Sequence, residues 1–251
     1  EIFPDYEIPF HSSSPVPSAG FPLVLFYLQV MELGVNGFRY EDLIRVVQSP
    51  YLCFSWQDER EGKPAQKILS YRKLDIICRS YGICKGYTDW RALSGRIQEM
   101  AEKGKNPSPK HSVMDASSSQ YLPRQPFSVR DITDTLEGTE RLVSILKRIT
   151  GTKSIPEHIR DVKEVLRQIG SPVPDCESGE NSILCSLSPG EWASMKHFFQ
   201  MLERIDELDT ASLITGTDGP QEIPLSRFLA IVRLCVQNGA WEQDPEENGV
   251  L

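Results

Sequence analysis

Apolar positions recur along this chain at three- and four-residue spacing, the period of an α-helix buried along one face. Between Pro22 and Leu33 they are nearly continuous, broken only by Gln29 and Glu32. Such a run predicts a helix enclosed on all sides, with Gly34 as its stop. Leu43, Ile44 and Val47 share one face of a second predicted helix, Tyr40 to Gln48, with Pro50 beyond its end. From Ala65 to Tyr81, Ile68, Tyr71, Leu74, Cys78 and Tyr81 form a single helical face ended by Gly82. Thr88 is the expected N-cap of the next helix, in which Trp90, Leu93 and Ile97 turn inwards and Gly104 closes the element.

The second half has the same texture. Ser128 with Asp131 three positions on resembles a capping box, and Val129, Ile132, Leu136, Val143 and Leu146 carry a stripe towards Gly151. Gly138 costs about 1 kcal/mol of helix stability relative to alanine, so this stretch reads as one helix or two. Ser154, Pro156 and Glu157 start another helix with Ile159, Val162, Leu166 and Ile169 inside and Gly170 at its end. Ser188-Pro189-Gly190-Glu191 is the clearest helix start: a capping serine, proline at the first helical position, glutamate at the third. Its apolar face is Trp192, Met195, Phe199, Leu202 and Ile205, and a final helix, Leu225 to Gln237, turns Phe228, Leu229, Val232 and Val236 inwards. Strand signals are thin, with no Asn-Gly hairpin between alternating runs. No fixed repeat period is present, which counts against a solenoid. The fold class expected is all-α, an irregular multi-helical assembly of about eight helices.

Two stretches interrupt the pattern. Residues 57–66 are charged and carry Gly62 and Pro64, and read as a loop; residues 104–126, rich in Lys, Pro, Ser and Gln, read as a loop or linker and the best internal boundary. A length of 251 residues suits one large domain or two smaller ones, and 39% apolar with 25% charged residues is ordinary for a globular protein. The longest apolar run is far short of the ~20 residues that cross a bilayer, and neither a basic leader nor a cleavage site accompanies it. Six cysteines, at 53, 78, 84, 176, 185 and 235, include no C-x-x-C pair and suit reduced thiols, so a cytoplasmic protein without membrane contact is expected. The chain starts at Glu1 and closes on Asn248-Gly249-Val250-Leu251, which looks like the opening of a buried strand, so it reads as a piece of a longer protein.

Charge changes the picture more. The net charge of −8 conceals a basic segment: Lys63 to Lys110 holds 11 basic and 4 acidic residues, net +7, against net −15 elsewhere. Within it Lys63, Lys67, Arg72, Lys73, Arg79, Lys85, Arg91 and Arg96 are interleaved with Tyr71, Tyr81, Tyr87 and Trp90, a mixture suited to phosphate contacts with occasional base stacking. The same composition also describes a solvated helix pair around core aromatics. Arg72 and Arg79, seven apart, share a helix face, whereas Lys67 lies elsewhere on the wheel.

Catalytic constellations are not evident. Gly151-Thr152-Lys153-Ser154 lacks the upstream glycine and strand of a phosphate-binding loop, and reads as a helix–helix turn capped by Ser154. Gly216-Thr217-Asp218-Gly219-Pro220 reads as a turn. Asp161-Val162-Lys163-Glu164 carries nuclease-like residue types but in a helical pattern, and Pro174-Asp175 has no lysine nearby. His197 with Cys185 or Ser188 is the only nucleophile pairing to weigh, and His197 fits equally as a polar position on an amphipathic helix. No catalytic, cofactor-binding or metal residue is assigned.

Dispersed phrases carry a resemblance. Ile8-Pro9-Phe10, then Pro22-Leu23 opening the apolar helix, then Phe38-Arg39-Tyr40-Glu41-Asp42-Leu43-Ile44 and Ser49-Pro50-Tyr51-Leu52 stand in the order found after the early C-terminal helicase motifs in the B subunit of the bacterial ATP-dependent helicase/nuclease (AddB-like) and its relatives in the UvrD/RecB helicase superfamily. Leu74-Asp75 with Arg79, Gly82-Ile83, Gly86 and Asp89-Trp90 resembles a following phrase of such proteins; Pro224-Leu225 to Val236 resembles the last helix of their inserted domain, and Gly249-Val250-Leu251 the strand returning to the motor. Residues 104–222 contribute little.

The resemblance implies a helical insertion, the equivalent of the 2B subdomain of a superfamily 1 helicase. It divides the chain into 1–56 leaving the motor-like core, 57–103 as a basic helical pair, the 104–126 loop, 127–238 as a helical subdomain, and 239–251 as the return segment. It further implies a non-catalytic piece of a double-strand-break repair helicase/exonuclease. ATP and Mg, and the hydrolase centres, would lie elsewhere in the parent. DNA, duplex or tailed, and an AddA-like partner subunit are the implied partners. The alternative of a different class is a helical protein–protein interaction domain without a nucleic-acid role.

Overall fold

The computed structural model describes residues 16–17, 21–58, 65–83, 86–102, 128–174, 187–214, 222–238 and 240–241. Most of these are helical. In chain order the elements are β1 (Val16–Pro17), α1 (Pro22–Val35), α2 (Tyr40–Gln48), β2 (Ser55–Asp58), β3 (Ala65–Ile68), α3 (Tyr71–Tyr81), α4 (Tyr87–Glu102), α5 (Val129–Leu146), a 3₁₀ turn at Lys147–Ile149, β4 (Thr152–Lys153), α6 (Ile155–Gln168), α7 (Pro189–Ile214), β5 (Ile223–Pro224), α8 (Leu225–Asn238) and β6 (Ala240–Trp241). The strands form three antiparallel pairs: β1 with β6, β2 with β3 and β4 with β5.

Helix α1 is the axis of the core, packed by α2, α7 and α8. Leu23, Val24, Phe26, Tyr27, Leu28, Val30, Met31 and Leu33 are buried, but Leu25 is 41% exposed, so the helix is not enclosed on all sides as its run predicts. The one polar atom this brings inside is satisfied: Tyr27 donates its hydroxyl to Pro172 O at 2.7 Å, and burial raises its pKa. Its ring packs against Phe198 and Phe199 of α7, with centroids 5.0 and 5.7 Å away. The stop differs from expectation, because the helix runs through Gly34 to Val35 and ends at Asn36, before Gly37 (φ +67°) and Phe38 (φ +60°). Gly34 serves packing instead: a Cβ there would meet Leu225 Cδ2 of α8 at 3.0 Å. Phe38 occupies the left-handed region at a cost of about 1–2 kcal/mol. Burying its ring, worth roughly 1.5–3 kcal/mol, offsets that.

Helix α2 spans Tyr40–Gln48 as its pattern predicts, with Leu43, Val46 and Val47 buried. The next stretch departs from it. Ala65 to Ile68, expected as the first turn of a helix, is strand β3, and it pairs with β2 in the register Ser55↔Ile68, Trp56↔Lys67, Gln57↔Gln66, Asp58↔Ala65. Residues 57–66, read as loop, thus contribute to both strands; residues 59–64 lie outside the described residues. Helix α3 begins only at Tyr71, ending on Gly82 in the left-handed conformation as expected. Helix α4 begins at Tyr87 rather than after Thr88, because Gly86 (φ +92°) makes the turn and its carbonyl accepts from Asp89 N at 3.1 Å. The 104–126 boundary lies outside the described residues.

Gly138 does not divide α5, which is continuous over 18 residues. The indole of Trp56 covers the glycine so closely that a Cβ would sit 2.4 Å from its ring. Thr135 and Thr139, both buried, donate their hydroxyls to the carbonyls one turn back, Asp131 O and Thr139's own partner Thr135 O, each at 2.8 Å. Helix α6 starts where Ser154, Pro156 and Glu157 predict and carries a capping box there, with Glu157 accepting from Ser154 N at 3.0 Å and Ser154 Oγ at 2.8 Å. Helix α7 carries the other: Ser188 N donates to Glu191 Oε2 at 2.9 Å, and Glu191 N donates back to Ser188 Oγ at 3.3 Å. The predicted inward faces of α6 and α8 are buried; on α7, Met195, Phe199, Leu202 and Ile205 are buried with Phe198 added, while Trp192, expected inside, is half-buried.

His158 of α6 is fully buried, donates from Nε2 to Ile223 O of β5 at 2.8 Å, and stacks on Phe228 of α8 with centroids 4.9 Å apart. Its Nδ1 has no hydrogen-bond partner among the described residues. Burial pushes its pKa below the ordinary histidine value. The unfolded chain therefore binds a proton that the native state resists, and stability from this group falls as pH drops below about 6.5. Urea unfolding between pH about 7.5 and about 5 is expected to show this loss in the native chain and a flatter profile in His158→Gln. Matching profiles would contradict it.

Candidate nucleic-acid interface

The basic segment folds onto α5, and the contact face of that helix explains where its cations go. Asp131, Asp134 and Gly138 lie three and seven residues apart along α5 and share one face. Trp56 and Lys67, directly paired across the β2–β3 hairpin, project to the same side of it. Trp56 covers Gly138, and Lys67 Nζ reaches Asp134 Oδ1 at 2.8 Å. One turn towards the start of α5, Lys73 Nζ reaches Asp131 Oδ1 at 2.5 Å. The Lys73 ammonium, with the Ser128 hydroxyl, holds the Asp131 carboxyl below the usual carboxylate range. Lys67 and Lys73 thus tie the hairpin and α3 to α5.

Arg79 has a different attachment. Its Nε donates to Asp75 Oδ1 at 2.9 Å and to the Tyr40 hydroxyl at 3.3 Å, while Tyr40 donates to Asp75. Partial burial, then the hydrogen bond to the Asp75 carboxylate, raises the Tyr40 pKa. The group locks α2 to α3, although the Arg79 side chain remains 64% exposed. Arg72 and Arg91 are both exposed. Arg72 lies along Tyr71, Nε 3.1 Å from its hydroxyl and Cζ 5.8 Å from the ring centroid. Arg91 makes no ion pair among the described residues. Arg96 lies in α4, its side chain outside the described residues, as are Lys63 and Lys85.

The aromatics interleaved with these cations divide in the same way. Trp90 is buried and belongs to the core, Tyr81 is half-buried against it, and Tyr71 is exposed next to Arg72. Two phrases of the sequence meet here: Tyr40 of one binds Asp75 and Arg79 of the other, and Gly86 rests against Gly37. Leu74, Ile83 and Trp90 of the second phrase are buried. Tyr51, from Ser49-Pro50-Tyr51-Leu52, donates to Glu191 at the start of α7, which raises its pKa to about 12, burial being the larger cause. These residues build the fold around the basic face.

Lys153, Ser188 and Lys163, singled out for other chemistry, are held in local contacts. Lys153 Nζ is held by Asp161 Oδ2 at 2.7 Å and by Arg148 O, in the turn that Ser154 caps. Thr152 and Lys153 pair with Pro224 and Ile223 as a short ladder. Ser188 Oγ donates to Glu191 Oε2 at 2.8 Å within its cap. His197 is half-buried, and burial with the nearby Arg204 lowers its pKa. Lys163 pairs with Glu203 at 3.0 Å and Arg167 with Glu164 at 2.8 Å. Cys185, Asp175 and Gly216 to Pro220 lie outside the described residues. Among the described residues, Cys53 and Cys235 are free thiols and no three His, Cys, Asp or Glu side chains converge as a cation site. No helix of the described residues is long and apolar enough to cross a membrane.

What sequence reasoning missed is the acidic face of α5 that receives two of the cations. The spacing Asp131, Asp134, Gly138 was readable; its partners are not neighbours in the chain, Lys73 lying 58 positions away. Compared with models of known protein families and with curated proteins, the chain matches none.

Proposed function

We propose that this chain is a helical DNA-contacting module, inserted in a DNA repair helicase/nuclease of the UvrD/RecB superfamily and AddB-like, whose basic α3–α4 face guides duplex or tailed DNA towards a motor that uses ATP and Mg. The observation that carries the reading is that Arg72, with Tyr71 beside it, and Arg91 are each exposed and stand outside the salt bridges that occupy Lys67 and Lys73. Guanidinium groups suit phosphate, and an exposed tyrosine offers a base a stacking surface. The pairing of β1 with β6 also supports an insertion, because it sets the incoming and outgoing strands side by side.

The test separates contact from stability. Arg72→Glu with Arg91→Glu is expected to weaken duplex binding by about tenfold or more and to lower the slope of log affinity against log salt by roughly 1 per arginine, with the melting temperature kept. Unchanged binding would remove the DNA assignment. Lys67→Ala is the complementary probe: it leaves Asp134 without its ammonium, so it lowers the melting temperature first.

Ile68, 76% exposed beside the 37% exposed Tyr71, favours a second reading, docking of an AddA-like partner subunit at the same face. Loss of partner capture in Ile68→Asp, with capture retained in the double arginine variant, would select that reading.

A further inference from the structure

A second cluster of cations lies on α6 and α7. Between α6 and α7 a cleft of about 200 Å³ is floored by the buried side chains of Phe199 and Val173 and bounded by Lys163, Arg167 and Lys196. Lys163 Nζ lies 5.9 Å from the Phe199 ring centroid and Lys196 Nζ 5.6 Å from that of Trp192, so both ammonium groups are steered by aromatic faces. Lys196 is exposed and has no carboxylate partner among the described residues. Among the described lining residues the one carboxylate is Glu203, and its side chain is 59% exposed where it pairs with Lys163. Exposed pairs of this kind contribute only about 0–1 kcal/mol, so a better anion displaces this one cheaply.

We propose that this cleft binds a phosphate group through Lys163, Arg167 and Lys196, with Glu203 as the internal anion that the ligand replaces. Among the described residues Lys163 pairs with Glu203 and Arg167 with Glu164 while Lys196 has no carboxylate, and this remaining positive charge sets the sign of the ligand. The volume limits its size, since sites for drug-sized molecules are about 300–1,000 Å³. The bound unit is therefore one phosphate, free or part of a nucleic-acid backbone, rather than a whole nucleotide buried in the cleft.

Titration calorimetry of the full chain with inorganic phosphate, against chloride at matched ionic strength, tests this. Saturable binding is expected, about tenfold weaker in Lys196→Gln and in Lys163→Gln, and several-fold tighter in Glu203→Gln. Trp192 fluorescence should follow the same isotherm and lose its response in Trp192→Phe. Absence of saturable binding, or equal binding in the two lysine variants and the native chain, overturns the site. Phosphate displaced by a short duplex assigns the natural ligand to a nucleic-acid backbone; phosphate retained assigns it to a free phosphate. Arg72→Glu with Arg91→Glu must leave phosphate binding intact, which keeps this site distinguishable from the α3–α4 face.

Discussion

Replacing Gly86 with alanine is expected to cost about 3 kcal/mol of unfolding free energy, lowering the melting temperature by roughly 6–12 °C. Two effects add. At φ +92° an alanine pays the left-handed penalty, and its Cβ would stand 2.3 Å from Gly37 O and 3.3 Å from Phe38 O. Backbone faces backbone here, so no side chain can swing aside. The Gly37–Phe38 turn is fixed by Phe38 N donating to Leu33 O at 3.0 Å and by the buried Phe38 ring, while Gly86 O accepts the first bonds of α4. Gly82→Ala is the control, because φ is +65° there but nothing lies within 4 Å of an added Cβ. It should lose only the conformational share, about 1 kcal/mol. Equal losses at both positions, by urea unfolding, would show that the Gly86–Gly37 contact is unimportant.

Gly138→Ala is expected to destabilise by about 2 kcal/mol although alanine is the better helix former by about 1 kcal/mol. The added Cβ would lie between 2.4 and 2.9 Å from three atoms of the Trp56 ring, and Trp56 is buried in the hairpin that Lys67 fastens to α5. The sign depends on that indole alone, so a double-mutant cycle settles it. In a Trp56→Leu background, where the ring is gone, Gly138→Ala should become neutral or stabilising. Gly95, exposed in α4 with nothing within 4 Å of an added Cβ, gives the opposite result in the native background, a gain of roughly 0.5–1 kcal/mol on Gly95→Ala. A loss at Gly138 that persists without Trp56 would sink this account of the packing.

These two glycines show what was and was not readable in the chain. Capping signals are local, so Ser154 with Glu157 and Ser188 with Glu191 placed the starts of α6 and α7 correctly. Glycine inside a helical pattern is ambiguous, because the missing side chain says nothing of what fills the space. Gly34 and Gly138 therefore read as interruptions, whereas Leu225 and Trp56 occupy the room they leave. The β2–β3 hairpin was missed because Ala65-Gln66-Lys67-Ile68 has no alternation of apolar and polar residues and Ile68 faces solvent. Its readable trace was Phe54 and Trp56, two apart, both buried and stacked with centroids 5.9 Å apart. For the candidate interface, the excess of cations was legible from composition alone. Their division was not, because the carboxylates that occupy Lys67 and Lys73 come from a helix distant in sequence.

The two-residue ladder of β1 and β6 has a mechanical consequence. Val16 opposes Trp241 at its outer end and Pro17 opposes Ala240 at its inner end. Tension applied through the flanking chain therefore loads the ladder by peeling, one rung at a time from Val16 and Trp241, rather than by shear across all rungs together. Pro17 has no N–H to add to the resistance. The ladder is then the weakest link in series with α1 and α8, and it yields before force reaches the aromatic core.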